Sequence, residues 1–180
     1  MARKFSLAYL TIPGVDPVSQ IKIAKEAGYD YVSLRTIPMH LPGEPEFLPQ
    51  KDPELFDAIK KALKEYDMPL MDIELARVRP DLDIEEYRPA FEAAAKLGAT
   101  DVLGSICSRD KAWYTDTARE ARFYPGEGVM DIAGMVKAMP EIPLSIELPN
   151  LKEIEARGQA GHVARCLETA KAYFKANGIE

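Results

Sequence analysis

Short apolar segments alternate with amphipathic helical segments along the 180 residues of this chain, and this alternation constrains the fold most strongly. It is typical of βαβ units, in which a helix connects each strand to a parallel neighbour. It therefore predicts an α/β domain with a mostly parallel sheet. The predicted strands are Phe5–Ile12, Asp30–Thr36, Pro69–Ala76, Thr100–Cys107 and Ile142–Leu148.

The segments between the strands carry signals for the starts of helices. Asp16 and Asp52 are each followed by proline, which indicates an N-cap and a first helical residue. Asp83 and Glu86 have the spacing of a capping box, and Pro89 predicts a kink or a delayed start for the helix that follows. The last two predicted helices run from Asp131 to Met139 and from about Gly161 to Asn177.

The composition excludes several classes of function. A net charge of -6 argues against nonspecific nucleic-acid binding, which needs a basic surface. No apolar run is long enough to cross a bilayer, and the first residues do not resemble a signal peptide. The two cysteines lack CxxC spacing and are interpreted as reduced thiols. We expect one cytoplasmic domain over residues 1–180, without nucleic-acid or membrane partners.

Charged side chains occur in predicted strands that should be apolar if both faces were buried. Arg35 ends the second strand, Asp72 and Glu74 lie on one face of the third, and Glu147 lies near the end of the last. The C-terminal ends of parallel strands are where barrel enzymes place catalytic residues. These four residues are therefore the candidate site residues of the chain.

Buried charges need partners or a ligand, and the sequence is compatible with both. In one interpretation, Arg35 and Glu74 form a structural ion pair, and we favour this one because such pairs are common outside functional sites. In the other, the residues line a polar pocket for a small sugar or a phosphate. Arg35 and Asp72 would then bind the substrate, and Glu74 or Glu147 would act as the catalytic base.

Four motifs occur in a characteristic order along the chain: Tyr31–Arg35, Lys96–Ala99, Pro125–Asp131 and Leu144–Asn150. Together they resemble the xylose isomerase-like TIM barrels, a group that holds sugar phosphate isomerases and epimerases and relatives of endonuclease IV. The similarity runs from Phe5 to Phe174. It implies an eight-stranded barrel with a divalent metal held by acidic and histidine side chains at strand ends.

The chain matches the family's first four strands and its last strand, so strands five to seven are missing from the pattern. Of the metal ligands that the resemblance implies, only Glu147 has a counterpart. We expect His40 and His162 to be ordinary surface histidines. A single carboxylate does not hold Mg²⁺, Mn²⁺ or Zn²⁺, so no cofactor is expected unless Asp72 and Glu74 join Glu147 around a divalent metal.

Right-handed connections predict the strand order 4-3-2-1-last for a truncated TIM barrel of about five βα units. Five strands cannot close around a filled interior, so the sheet has exposed edges and an exposed face. We expect a homodimer that covers the face or the edges. Extra short strands over Ser108–Tyr124, or helices on both faces of the sheet, are the alternatives.

These features lead to three hypotheses for function. The first is a degenerate sugar phosphate isomerase or epimerase that lacks the family's metal-dependent activity. The second is an active isomerase or epimerase with a rebuilt carboxylate site, which would use Mg²⁺, Mn²⁺ or Zn²⁺. The third is a non-catalytic binding or assembly module.

Overall fold

The fold is an α/β partial barrel, in which five parallel strands form a curled half-barrel with helices between them. The computed structural model describes residues 3–78, 83–106, 122–127, 132–138 and 142–179. The strand order is β4-β3-β2-β1-β5, and every pair is parallel, so the predicted order is confirmed. The strands are β1 (Phe5–Leu7), β2 (Tyr31–Arg35), β3 (Leu70–Val78), β4 (Asp101–Ile106) and β5 (Leu144–Ile146).

The first two helices begin where the capping signals place them. The Asp16 carboxylate accepts a hydrogen bond from the Ser19 N–H at 3.0 Å, and Asp52 accepts one from the Leu55 N–H at 3.0 Å. Each bond satisfies a backbone donor that the first helical turn leaves free. The helices are α1 (Pro17–Ala27), α2 (Pro53–Glu65), α3 (Arg88–Leu97), α4 (Ile132–Ala138) and α5 (Leu151–Ala176).

The start of α3 is delayed, as Pro89 predicts. A 3-10 turn over Ile84–Tyr87 comes first, and Pro89 then occupies the first turn of the helix, where its missing N–H costs nothing. Asp83 caps the 3-10 turn by accepting from the Glu85 N–H, not from the Glu86 N–H that a capping box would use.

The last helix begins earlier than predicted. Asn150 caps it by accepting from the Glu153 N–H at 3.2 Å, so the helix starts at Leu151 instead of Gly161. It is interrupted at Gly158, where φ is 70° and ψ is 166°. This break explains the error, because the apolar periodicity of the sequence becomes regular only after it.

The first and last strands are shorter than predicted. β1 ends at Leu7 because the chain turns into a 3-10 turn over Tyr9–Thr11. β5 pairs with β1 over three residues only. Glu147 is therefore the first residue after β5, at the carboxyl end of the sheet where the sequence places it.

One face of the sheet packs on the helices and forms the core. Its buried apolar residues are Phe5, Leu7, Val32, Leu34, Leu70, Ile73 and Ile146. The helices contribute Ile21, Ala24, Ile59, Ala94, Val163 and Leu167 to the same cluster. The opposite face, which would line the interior of a closed barrel, carries the polar side chains.

The extra strands expected over Ser108–Tyr124 lie outside the described residues, except for residues 122–124, which form no strand. Within the described ranges, no helix combines the length and the apolarity that crossing a membrane requires.

Candidate functional site

Three of the four polar residues predicted from the sequence lie on the neighbouring strands β2 and β3: Arg35 at the end of β2, and Asp72 and Glu74 within β3. Parallel pairing places Arg35 beside Glu74 and Ser33 beside Asp72. All four residues are buried, with Glu74 only 1% exposed. Buried charges of this kind must be matched by their surroundings, so their partners decide what the site can do.

Arg35 is matched by two carboxylates and an aromatic ring. Its Nη2 lies 3.2 Å from Glu74 Oε2, and its Nη1 lies 3.0 Å from Glu44 Oε1. The guanidinium carbon lies 4.6 Å from the centre of the Tyr9 ring, which is a cation–π distance. We call these four residues, Tyr9, Arg35, Glu44 and Glu74, the strand-end cluster. The predicted ion pair between Arg35 and Glu74 is present.

Both carboxylate oxygens of Glu74 are hydrogen-bonded. Oε2 accepts from Arg35, and Oε1 accepts from the Tyr9 N–H at 2.9 Å. Burial raises the pKa of Glu74 to about 7, although the Tyr9 N–H and Arg35 oppose the rise. The negative charge of Glu147 raises this pKa further. Glu74 can therefore exchange a proton near neutral pH.

Asp72 belongs to a separate chain of hydrogen bonds. Ser6 Oγ lies 2.9 Å from Ser33 Oγ, which donates to Asp72 Oδ2 at 2.9 Å. The other oxygen, Oδ1, is buried and has no hydrogen-bond partner among the residues that the structure describes. Burial raises the pKa of Asp72, the Ser33 hydroxyl lowers it, and the charge of Asp101 raises it. Asp72 therefore faces the hydroxyls of β1 and β2 and forms no ion pair with Arg35.

Glu147 pairs with an arginine that the sequence did not single out. Its Oε1 lies 2.8 Å from Arg122 Nη1, which also donates to the Glu147 carbonyl at 2.9 Å. Arg35 is not the partner of Glu147, because Glu44 and Glu74 bind its guanidinium. Both side chains of the pair with Arg122 are partly exposed, at 28% for Glu147 and 41% for Arg122.

The candidate carboxylates do not form a metal site together. Among the residues that the structure describes, no group of three or more His, Cys, Asp or Glu side chains is arranged to hold a metal ion. Asp72, Glu74 and Glu147 have separate partners: a serine hydroxyl, Arg35 and Arg122.

The two histidines have different environments. His40 is exposed, as expected, and its Nδ1 lies 2.7 Å from Glu46 Oε1. His162 is fully buried, so the expectation of a surface histidine is wrong. Its Nε2 lies 2.9 Å from the Leu148 carbonyl, which only accepts, and its Nδ1 lies 3.0 Å from the Tyr124 hydroxyl. Burial lowers the pKa of His162 and favours a neutral ring that ties α5 to the end of β5.

Three residues of the site gave no usable signal in the sequence. Tyr9 and Glu44 lie in a 3-10 turn and a proline-rich loop, and Arg122 lies in a polar segment without periodicity. Sequence periodicity identifies which side chains share a strand face, but it does not say which loop residues fold over that face.

Comparison with known proteins shows no matching protein-family model and no matching curated protein. Several solved structures resemble parts of the chain, among them the following two. An uncharacterised protein of Parabacteroides distasonis is 15% identical, with 57% of this chain and 42% of that chain covered and a TM-score of 0.44. A xylose isomerase-like TIM barrel/4-hydroxyphenylpyruvate dioxygenase fusion protein is 17% identical, with 61% and 17% covered and a TM-score of 0.43. The chain therefore spans less than half of either structure.

Proposed function

We propose that the chain is a degenerate relative of the sugar phosphate isomerases and epimerases, without the metal-dependent activity of that family. The observation that carries the proposal is the state of Arg35. Its side chain is 5% exposed, bound by Glu44 and Glu74, and covered by the ring of Tyr9. Such an arginine stabilises the strand ends and does not offer a free guanidinium to a substrate.

The energetics of buried ion pairs support the same proposal. A sugar phosphate would have to displace Glu44 or Glu74 from Arg35 and leave a carboxylate without a partner. Breaking a buried pair by removing one partner typically costs 3–5 kcal/mol. The contacts of the ligand would have to contribute more than this free energy for binding to be favourable.

Metal titration tests the proposal. Thermal unfolding of the wild-type chain is followed with increasing Mn²⁺ and, separately, Mg²⁺. We expect no saturable rise in melting temperature, because the carboxylates of the strand ends are held by arginines and a serine. Glu147→Gln and a matched change of an exposed helix residue, Glu155→Gln, should behave like the wild type. A saturable rise that Glu155→Gln keeps and Glu147→Gln loses would reveal a working metal site and overturn the proposal.

A second candidate function is an active isomerase or epimerase with Glu74 as its base. The observation that favours it is the pKa of about 7 for this carboxyl, since a general base works best when its pKa lies near the working pH. Arg35 would polarise the substrate carbonyl. Deuterium incorporation from heavy water into ketose phosphates tests this function by NMR. Exchange that Glu74→Gln abolishes would support it, and absence of exchange would exclude it for the sugars tried.

A further inference from the structure

Glu44 reaches the strand-end cluster from an irregular loop, whereas Glu74 belongs to a strand of the sheet. Both carboxylates bind the Arg35 guanidinium, Glu44 through Nη1 and Glu74 through Nη2. The Glu44 side chain is 14% exposed and that of Glu74 only 1%. Glu44 therefore approaches the guanidinium from the solvent side, and it is the partner that can leave Arg35 without disturbing the sheet.

The loop segment that carries Glu44 is loosely attached to the rest of the protein. We call residues 38–47 the strap, and every one of them is exposed or half-buried. Among the residues that the structure describes, each ion pair or hydrogen bond from the strap to the rest of the chain involves Glu44. Two other polar contacts, from His40 to Glu46 and from the Glu44 N–H to the Leu41 carbonyl, stay within the strap. A segment with so few buried contacts opens at low free energy.

The space beside the strap and its backbone geometry also favour its release. A cleft of about 310 Å³ lies between Met39 and His40 of the strap and Leu75 and Tyr87 of the body, so the strap is not packed on this side. His40 has a φ of 53°, a left-handed conformation that is uncommon for a residue with a side chain and that its surroundings must hold. The closed position of the strap therefore depends on the contact made by Glu44.

The place that the Glu44 carboxylate occupies suits a small oxyanion. Arginine presents N–H donors whose geometry matches the oxygens of carboxylates and phosphates. A pocket of about 10 Å³ beside this contact is lined by Arg35, Glu44 and neighbouring strap residues. It is about the smallest space that holds a water molecule, so an external anion cannot enter while Glu44 is in place. The Glu44 carboxylate must leave before another anion can reach Arg35.

We propose that Arg35 is a latent binding site for a small oxyanion, a carboxylate or a phosphate, and that Glu44 closes this site as an internal ligand carried by the strap. In the wild type the chain holds the Glu44 carboxylate next to Arg35, so a free anion competes against a high effective concentration. The inference rests on the proposed function, in which Arg35 is closed to substrates, and it names the group that closes it.

Removal of the internal carboxylate tests the proposal. Glu44→Ala deletes a group that acetate matches atom for atom, so acetate should fill the vacated place and inorganic phosphate should compete with it. NMR titrations of backbone amides in the full chain follow both probes, with chloride keeping the ionic strength constant. We expect Glu44→Ala to bind acetate saturably and at least about tenfold more tightly than the wild type, because the internal competitor is gone. The amide signals of Tyr9 and Arg35 should shift.

A matched control and a second variant make the test specific. Glu46→Ala removes the same group from the strap but leaves Glu44 on Arg35, so it should bind acetate as weakly as the wild type. Glu44→Gln keeps the shape of the side chain and removes its charge. Because a neutral amide binds arginine less strongly than a carboxylate does, this variant should bind acetate more tightly than the wild type and less tightly than Glu44→Ala.

Three outcomes would overturn the proposal: no saturable acetate binding to folded Glu44→Ala, equally tight binding to Glu46→Ala, or acetate binding with which phosphate does not compete. If Glu44→Ala does not fold, as judged by its circular dichroism, Glu44→Gln decides, and acetate binding no tighter than that of the wild type overturns the proposal. A failure here is distinct from a failure of the proposed function, which a saturable effect of Mn²⁺ or Mg²⁺ on the melting temperature would reveal.

Discussion

At the scale of single residues, the strand-end cluster places one buried cation, Arg35, between two carboxylates. Glu74 shows the balance most clearly, because Arg35 and the Tyr9 N–H favour its ionised form while burial opposes it. The effect of burial is the larger one, and the pKa of Glu74 rises to about 7. The ion pair with Arg35 is therefore sensitive to pH near neutrality.

The stability contributed by Glu74 should fall as the pH rises. The ordinary pKa of this carboxyl is 4.5 and its folded value is about 7, so the folded state binds the proton more tightly between these values. The contribution is complete below about pH 4.5 and is lost as the pH rises through 7, by about 3 kcal/mol in total. In Glu74→Gln the neutral amide does not titrate, so this dependence of the unfolding free energy on pH is lost.

Urea unfolding of wild type and Glu74→Gln between about pH 4.5 and pH 8 measures this effect. The free energy of unfolding of the wild type should decline relative to that of the variant. Asp72 and His162, whose pKa values are also shifted, are present in both proteins, so their contributions cancel in the difference. If the difference in unfolding free energy between the two proteins does not change with pH, Glu74 does not have the raised pKa assigned to it.

The sequence predicts contacts between residues of neighbouring strands. It does not predict contacts in which one of the two residues lies in a loop. Arg35 and Glu74 occupy matching positions on neighbouring strands, so their pairing follows from strand order and alternation. Glu44 and Arg122 reach the same region from irregular segments, which have no period from which a direction can be inferred.

At the scale of elements, local signals determine where most helices begin and one glycine divides the last helix. The caps at Asp16 and Asp52 were predictable because a side-chain acceptor stands before proline at a helix start. The break at Gly158 was not predictable, because glycine occurs within helices as well as between them. Its φ of 70° with ψ of 166° is accessible almost only to glycine.

Gly158→Ala should therefore destabilise the protein. The alanine Cβ is strained at this φ and ψ, and the expected cost is about 1–3 kcal/mol. Urea unfolding measures it. Ala160→Gly, in the helical part that follows, is the comparison and should cost about 1 kcal/mol through helix propensity alone. Stabilisation by Gly158→Ala would mean that α5 is continuous in solution.

At the scale of the whole molecule, the five described strands form a sheet with two open edges. In the part of the chain that the structure describes, β4 pairs only with β3, and β5 pairs only with β1. Val102 and Leu103 of β4 point to opposite faces and are both 41% exposed, so the described residues leave both faces of this strand partly exposed. Right-handed connections predicted the strand order, but nothing in the sequence says what covers the edge.

We propose that a second copy of the chain covers the β4 edge, since exposed apolar edge strands favour association. Light scattering should give twice the mass of one chain. The double variant Val102→Lys, Leu103→Lys should be monomeric, because charged edge residues oppose strand pairing. Ile142→Lys, an exposed apolar residue next to β5, should remain dimeric. A monomeric wild type at micromolar concentration would exclude the dimer, and with it an assembly role for this edge.

The contacts of Arg35 and Glu74 predict that the strand-end cluster stabilises the fold. A double-mutant cycle on these two residues, followed by urea unfolding at about pH 8, measures their coupling free energy. Arg35→Met should cost about 3 kcal/mol in the wild type, because it leaves buried carboxylates without their cation. In the Glu74→Gln background the cost should be smaller by at least about 1 kcal/mol. Equal costs in both backgrounds, or a stabilising Arg35→Met as expected of a residue kept for binding, would contradict the account.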